Sequence, residues 1–179
     1  MSAEIRKQRL SRLDLVFVWS PIYFVTACTQ NLRNILVTPA IRETFLRFGK
    51  EGALHGSWIG AYLIMPNHLH VFVATDHQKI AISARMTSLK NIISKTLREN
   101  GVAPPHWQKT FFDHLLRSTK SYSEKWNYVR DNPVRAGLVA SAEDWPYVGE
   151  IFAVEYRSGK YDSAVTDRRS RDDHARWWL

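Results

Sequence analysis

Two histidines separated by a single leucine lead into an apolar segment in the stretch MPNHLHVFV, which starts at Met65. In a β-strand, residues i and i+2 project from the same face, so His68 and His70 would present two imidazoles side by side. Such a pair can bind one divalent metal ion, but two ligands alone hold a metal weakly. The alternative is that both are half-buried or surface polar residues. A metal site therefore requires a third ligand from elsewhere in the chain.

A second stretch whose residues could take part in a reaction, SYSEKWNYVRDNPVRAGLV, starts at Ser121. On a helix with ~100° per residue, Tyr122, Trp126 and Val129 fall within ~60° of one another and form an apolar stripe. This stripe predicts that Tyr122 is a structural residue of the core. Tyr128 lies ~120° from the centre of the stripe, on a side that does not face the core.

Asn132 follows Tyr128 by four residues, which places the two on the same side of a helix, one turn apart. One interpretation is an exposed tyrosine and a helix-ending asparagine before a proline. The other is a phenol nucleophile beside a metal-binding amide oxygen. In that case His68, His70 and Asn132 supply nitrogen, nitrogen and oxygen ligands and leave positions open for a substrate oxygen. Such ligands, without thiolate, suit Mg²⁺ or Mn²⁺, which would polarise a scissile phosphate and hold it in line with the Tyr128 oxygen.

The composition of the 179 residues is that of a folded domain with a basic surface. Hydrophobic residues make up 45% of the chain, which excludes an intrinsically disordered protein. Lys plus Arg number 25 against 17 for Asp plus Glu, a net charge of +8. This excess favours a polyanionic partner, with nucleic acid first and an anionic membrane surface second. No apolar run reaches the roughly 18 residues of a membrane helix.

Cysteine usage and the N-terminal pattern bear on the compartment. The single cysteine, Cys28, cannot form a disulfide within the chain, which fits a reducing compartment. Basic residues before the apolar stretch that ends at Cys28 faintly resemble an export signal, but Asp14 and Pro21 interrupt its apolar part. We therefore expect a cytoplasmic protein that is not associated with a membrane.

The elements that must position the candidate residues alternate between strand and helix patterns. Strands are predicted at 23–29, 58–65, 68–74 and 107–117. Helices are predicted at 38–52, 81–99 and 121–132. For the last helix, Ser121 and Glu124 fit a capping box, and Pro133 marks the end. The order strand, helix, strand, strand, helix, strand, helix predicts an α+β fold, with an antiparallel sheet and helices on one face, as in ferredoxin-like proteins.

The length suits one domain with tails. We expect an N-terminal tail or edge segment at 1–20, a folded domain at 21–150 and a basic C-terminal tail at 151–179. The end of that tail, Arg168 to Leu179, is either a poorly ordered terminus or a segment whose Arg and Trp side chains bind DNA or cover the metal pocket.

Taken together, the motifs resemble those of the REP-associated tyrosine transposases, which form part of the single-tyrosine branch of the HUH nucleases. The resemblance rests on YFVT, MPNHLHVFV, FFDHLLRS, YVRDNPVRAGLV and EDWPY, which occur in this order between Tyr23 and Tyr147. It implies that residues 21–150 are a HUH single-tyrosine nuclease domain. It also implies a bacterial-type, nucleoid-associated enzyme that works as a monomer or as a homodimer.

The resemblance assigns roles to the candidate residues. It implies that His68 and His70 are the HUH histidines, that Tyr128 is the nucleophile and that Asn132 is the third metal ligand, where related insertion-sequence enzymes have glutamine. The expected reaction forms a 5′-phosphotyrosine link to single-stranded DNA beside a palindromic hairpin and frees a 3′-hydroxyl. Because the link keeps the energy of the broken bond, a later 3′-hydroxyl could rejoin strands without an external energy source.

Binding of a hairpin with flanking single strand requires cations for the phosphates. Candidate contacts are Lys90, Lys95, Arg117, Arg130 and Arg135. The alternative for each of them is a solvated basic surface. Two other functions stay open: a non-catalytic binder of palindromic hairpins, and a metal-dependent phosphodiesterase that activates water. The sequence lacks the carboxylate cluster that two-metal nucleases favour, which argues against the phosphodiesterase.

Overall fold

The computed structural model describes residues 15–18 and 22–156. Five strands form one antiparallel sheet, in the order β5-β2-β4-β3-β6. These strands are β2 (Ile22–Cys28), β3 (Ser57–Ile64), β4 (His68–Thr75), β5 (Phe112–Leu116) and β6 (Val148–Glu150). A separate two-stranded sheet pairs β1 (Leu15–Val18) in parallel with β7 (Ala153–Tyr156). The helices are α1 (Pro39–Gly52), α2 (Ile82–Glu99), α3 (Thr119–Arg130) and α4 (Asn132–Arg135).

The predicted fold class is confirmed. The segment from β2 to β5 has the order βαββαβ along the chain. Across the sheet, its four strands lie in the order fourth, first, third, second. This is the ferredoxin-like arrangement. The predicted element order is also that of the structure, and most boundaries lie within one or two residues of those predicted. The exception is β5, which is shorter than predicted: Trp107 forms only an isolated bridge with Thr29, and the carbonyls of Gln108, Lys109 and Thr110 accept from the Lys90 ammonium.

The helices α1 and α2 cover one face of the sheet. Thr38 caps α1 as predicted, because its Oγ1 accepts a hydrogen bond from the Ile41 amide over 3.3 Å and Pro39 occupies the first turn. The buried face of α2 consists of Met86, Leu89, Ile93 and Leu97. These residues share one apolar cluster with Leu69, Val71 and Val73 of β4.

The expectation that all helices lie on one face of the sheet is wrong for α3, which packs on the opposite face. There the Phe72 ring lies 4.6 Å from that of Tyr122 and 5.9 Å from that of Trp126. The reason is that β4 is the central strand and carries apolar side chains on both faces, so the second face also needs a cover.

The predicted capping box of α3 is also wrong. Ser118, which follows β5 closely, is the N-cap: its Oγ accepts from the Ser121 amide, and the Ser121 hydroxyl accepts from the Ser118 amide, each over 3.1 Å. Glu124 instead pairs with Lys120 over 3.8 Å. The helix also ends earlier than predicted, at Arg130, and Asn132 begins α4.

Regular structure continues beyond the last sequence motif. β6 pairs with β3, and Val154 of β7 joins Phe72 in the apolar cluster beneath α3. The tail Arg168 to Leu179 lies outside the described residues. Among the helices at 22–156, none is long and apolar enough to cross a membrane.

Candidate active site

The hairpin between β3 and β4 places the two histidines at the start of the central strand. The turn is held from outside, because the Pro66 carbonyl accepts from the amides of Ile35 and Leu36 over 2.9 and 3.0 Å. The rings of His68 and His70 lie edge to face, with their centroids 4.7 Å apart. The same-face geometry predicted from the spacing is therefore present.

His70 is held by its neighbours on β2. The strands pair Thr26 with His70, and Thr26 Oγ1 lies 2.8 Å from His70 Nδ1. Phe24 stacks on the imidazole at a centroid distance of 5.3 Å. On the other side of the ring, the Asn132 Nδ2 atom lies 3.0 Å from Nε2. Because the amide donates to Nε2, Nδ1 carries the ring proton and donates to Thr26.

His68 has an equivalent arrangement. Its Nδ1 lies 2.7 Å from the Oδ1 of Asn67, the residue that precedes it in the turn. Burial lowers the pKa of His68 to about 4. Burial also lowers the pKa of His70 well below its usual value, and the charges of His68, Lys125 and Arg135 add to this effect. Both rings are thus neutral at neutral pH, as metal binding requires.

The end of α3 and the start of α4 bring Asn132 to His70. The proline at 133 provides no backbone N–H, and the helix is interrupted between Arg130 and Asn132. Arg135 then bridges the interruption: its Nη2 donates to the Tyr128 carbonyl over 2.9 Å and to the Oδ1 of Asn132. Asn132 and Tyr128 are therefore linked by one guanidinium group.

Tyr128 lies at the surface, on the side of α3 away from Trp126. Its side chain is 41% exposed, and the Arg135 guanidinium lies 4.0 Å from the ring centroid. Tyr128 and Lys125 line a small open pocket with His114 of β5. Burial lowers the pKa of Lys125, whose Nζ lies 5.3 Å from the Phe24 ring centroid. A cation, a phenol and the paired imidazoles therefore share one side of the sheet.

The donor set fits a single divalent cation of the Mg²⁺ or Mn²⁺ type. The Nδ1 atoms of His68 and His70 are engaged by Asn67 and Thr26, so a metal would be bound by the Nε2 atoms, of which that of His70 now accepts from the Asn132 amide. The Asn132 amide lies against one of these nitrogens and could supply oxygen after turning about its Cβ–Cγ bond. Within 22–156, no group of three or more His, Cys, Asp or Glu side chains could hold a metal ion, so a third ligand beside the two imidazoles would have to be another kind of side chain, such as the Asn132 amide.

The five predicted DNA contacts are not all on the same side of the protein. Arg130 ends α3 and pairs with Glu143 over 3.6 Å, Arg135 ends the short α4 that follows, and exposed Arg117 directly follows β5. Lys90 and Lys95 lie on α2, which packs on the opposite face. The Lys90 ammonium donates to the Gln108 carbonyl over 2.6 Å.

Sequence reasoning did not find the residues that orient the imidazoles. Thr26 and Phe24 occur in YFVT, where alternation puts them on one face of a strand, but nothing in the sequence says which strand is adjacent. Asn67 precedes His68 directly, and an Asn in a tight turn before a histidine was a usable signal.

None of the known protein-family models matches the chain. A REP-associated tyrosine transposase of Escherichia coli (strain K12) is 25% identical over 141 residues, which cover 77% of this chain and 81% of that protein. A protein of Haemophilus influenzae (strain ATCC 51907 / DSM 11121 / KW20 / Rd), which carries the same family name provisionally, is 27% identical over 146 residues, with 73% of this chain and 80% of that protein covered.

A solved structure of a REP-associated tyrosine transposase bound to a REP hairpin is also similar. Its TM-score is 0.58 at 24% identity, and the match covers 78% of this chain and 82% of that one. This likeness shows the fold. With the sequence relatives, it confirms the resemblance that the motifs indicated: the chain is related, over most of its length, to REP-associated tyrosine transposases.

Proposed function

We propose that this relative of the REP-associated tyrosine transposases is a single-stranded DNA endonuclease and strand transferase that acts on palindromic hairpin DNA through Tyr128. The observation that carries the proposal is a continuous set of contacts, from the Tyr128 ring through Arg135 and Asn132 to the imidazoles of His70 and His68. A nucleophile, a cation, an amide and two neutral imidazoles are the groups that a metal-dependent phosphoryl transfer needs. The hairpin bound by the solved relative supports DNA of this type as the substrate.

One Mg²⁺ or Mn²⁺ would be held by the Nε2 atoms of His68 and His70 and by the amide oxygen of Asn132. The bound ion would supply polarisation of the scissile phosphate. Thr26 and Asn67 keep the two rings in the tautomer whose Nε2 lone pair is available. Burial keeps both rings neutral at physiological pH, so protons do not compete for those lone pairs.

Tyr128 would perform the covalent step. Its phenol oxygen gives up a proton and bonds to the phosphorus, while the bond between the phosphorus and the 3′ oxygen breaks. The leaving oxygen takes up a proton and becomes a free 3′-hydroxyl. The strand that begins with the new 5′-phosphate stays on the tyrosine. Attack by another 3′-hydroxyl on the same ester reverses the step and joins strands. Lys125, which lines the same pocket, would stabilise the developing phenolate.

The arginines on the α3 side would bind the DNA backbone. Arg117 and Arg130 flank the two ends of α3, and the exposed ion pair of Arg130 with Glu143 would give way to a phosphate at little cost. Lys95 lies on α2, on the other face, and is expected to contribute little. Lys90 would act by holding the 108–110 segment rather than by contacting phosphate.

The decisive experiment identifies both the DNA end and the tyrosine in the adduct. Hairpin DNA with single-stranded flanks, labelled at either terminus, is incubated with the protein and Mn²⁺ or with a chelator, then denatured. We expect a metal-dependent covalent adduct to the strand that carries the new 5′ end. Trypsin then separates the two tyrosines of α3, because cleavage after Lys120, Lys125 and Arg130 releases SYSEK and WNYVR. The adduct should map to WNYVR.

Other outcomes contradict the proposal in distinct ways. Tight hairpin binding without any adduct or cleavage, and without any effect of His68→Ala, supports the non-catalytic hairpin-binding alternative. Metal-dependent cleavage that leaves free ends and no adduct supports a phosphodiesterase that activates water. An adduct on SYSEK would refute the assignment of Tyr128 and keep the reaction class.

A further inference from the structure

Arg135 makes three contacts where α3 ends. Its Nη2 donates to the Oδ1 of Asn132 and, over 2.9 Å, to the carbonyl of Tyr128. Its guanidinium also lies 4.0 Å from the centroid of the Tyr128 ring. Arg135 is itself exposed, so a ligand from solvent can reach it. One accessible cation therefore holds both the proposed nucleophile and the proposed third metal ligand.

The contacts of Asn132 define which way its amide points. Oδ1 faces Arg135, which can only donate, and Nδ2 lies 3.0 Å from His70 Nε2, which accepts. This orientation directs an N–H at the lone pair that a metal would use and turns the oxygen away. For Oδ1 to reach a metal on His70, the amide must turn over, which would place its NH₂ group against the Arg135 guanidinium, donor against donor.

We propose that Arg135 is a positioning residue that keeps the Asn132 oxygen away from the metal position until a DNA phosphate takes over its guanidinium. The inference rests on the proposed function, since it assumes a metal on His68 and His70 and a DNA substrate. A phosphate is a better partner than an amide oxygen, because it is charged and accepts two parallel hydrogen bonds from a guanidinium. Transfer of Arg135 to the phosphate frees Oδ1 and unstacks the Tyr128 ring.

The consequence is a coupling between DNA binding and metal binding. Without DNA, metal binding must break the contact between Arg135 and Asn132, so the metal affinity is low. With DNA, that contact is already lost, so the affinity rises, and by reciprocity the metal raises the affinity for DNA. Such coupling would restrict the complete site, and thus strand cleavage, to the complex with substrate.

A different role for Arg135 predicts the opposite change in metal affinity when Arg135 is removed. If the guanidinium supported Oδ1 from behind while the oxygen bound the metal, removal of Arg135 would weaken metal binding. The DNA-free metal affinity of an Arg135 variant therefore distinguishes a restraint from a support. It also distinguishes a restraint from a merely structural role, because local damage would lower the affinity.

The test measures Mn²⁺ affinity by calorimetry and by the electron paramagnetic resonance of free Mn²⁺. A Tyr128→Phe background keeps the ring and prevents cleavage, and each protein is measured with and without hairpin DNA. We expect Arg135→Ala to raise the DNA-free affinity about tenfold and to reduce the gain caused by DNA. Arg135→Lys, with one ammonium in place of a planar fork, should fall in between. Lys120→Ala, which removes an exposed cation from α3, should match the parent.

A DNA-free Mn²⁺ affinity that is unchanged or lower in Arg135→Lys, with an unaltered thermal melt, overturns the inference. This variant also decides the question if Arg135→Ala does not fold. Mn²⁺ binding that survives His70→Ala lies elsewhere and overturns the inference as well. Failure of the proposed function is separate, because it appears as the absence of a 5′ adduct with the unmodified protein, whereas the Arg135 inference can fail with that adduct intact.

Discussion

The two ends of α3 each carry a tyrosine, and their surroundings are opposite. At the first end, the Tyr122 hydroxyl accepts a hydrogen bond from the Ala61 amide over 3.0 Å, and its ring lies 4.6 Å from Phe72. Burial raises the pKa of Tyr122. At the other end, Tyr128 is 41% exposed and lies against the Arg135 guanidinium.

The difference comes from the helical period, which points the two tyrosines in different directions, and from the sheet beneath the helix. Below Tyr122, the register of β3 against β4 shifts between Ile59 and Tyr62, and the bulge turns the Ala61 amide toward α3. Near Tyr128, the adjoining part of β4 presents imidazoles in place of apolar side chains. The single helix α3 thus contributes one phenol to the core and a second phenol to a polar site. A buried phenol with a raised pKa forms a phenolate less readily, which argues against Tyr122 as a nucleophile.

The largest effect should separate the two tyrosines by reaction rate. Tyr128→Phe removes the oxygen that the proposed reaction bonds to phosphorus, so we expect adduct formation to fall by on the order of 10⁴-fold or more. Tyr122→Phe should change the rate by less than about threefold, since its hydroxyl acts only on the fold. Single-turnover kinetics on labelled hairpin DNA measure both, and similar losses in the two variants would remove the distinction between the two ends.

The imidazoles near Tyr128 should make the fold sensitive to acid. The pKa of His68 is about 4 in the folded protein and near 6.5 when unfolded. The unfolded state therefore binds more protons between these values, and the free energy of unfolding falls as the pH falls through this window, by up to about 3 kcal/mol. The loss levels off below the folded-state pKa. Urea denaturation in the presence of a chelator at pH 7, 5.5 and 4 measures this slope.

The control for the acid effect is His68→Asn, which keeps a polar side chain but does not titrate. Its free energy of unfolding should depend less steeply on pH over the same window, whatever its absolute stability. An equally steep dependence in this variant would assign the acid sensitivity to other groups.

The hydrogen bond on His70 Nδ1 should matter for metal binding, whereas a similar threonine hydrogen bond on the other face of the sheet should not. Thr26→Val keeps the shape of the side chain and removes the hydroxyl that faces His70 Nδ1, so Mn²⁺ affinity should fall roughly 10- to 100-fold. Thr44→Val is the matched control, because Thr44 is buried and its hydroxyl lies 3.0 Å from that of Thr96, on the other face of the sheet. Equal Mn²⁺ affinity in the two variants would show that the Thr26 hydroxyl does not support metal binding by His70.

The smallest effect should separate the two tyrosines by stability. Tyr122→Phe leaves the Ala61 amide without its acceptor, which should cost about 1–2 kcal/mol. Tyr128→Phe should stay within about 0.5 kcal/mol, as expected for an exposed side chain. Urea denaturation of the two variants at pH 7 tests the pair, and a larger loss in Tyr128→Phe would reverse the comparison.

The sequence alone determined which side chains share a face. The two-residue period of a strand puts His68 and His70 together, and the helical period separates Tyr122 from Tyr128. The same two periods, with their turn and cap residues, determined the element order and hence the ferredoxin-like class. These inferences succeed because side-chain direction along one element follows from backbone geometry, which each segment carries in itself.

Only the tertiary structure decided what each face meets. It brought Thr26 and Phe24 to His70, placed α3 on the face opposite α1 and α2, and engaged Lys90 with backbone carbonyls. It also put Arg135 between Tyr128 and Asn132. Strand register, the choice of sheet face and the capture of a long cation depend on the burial and hydrogen bonding of groups far apart in the chain, which no local period encodes.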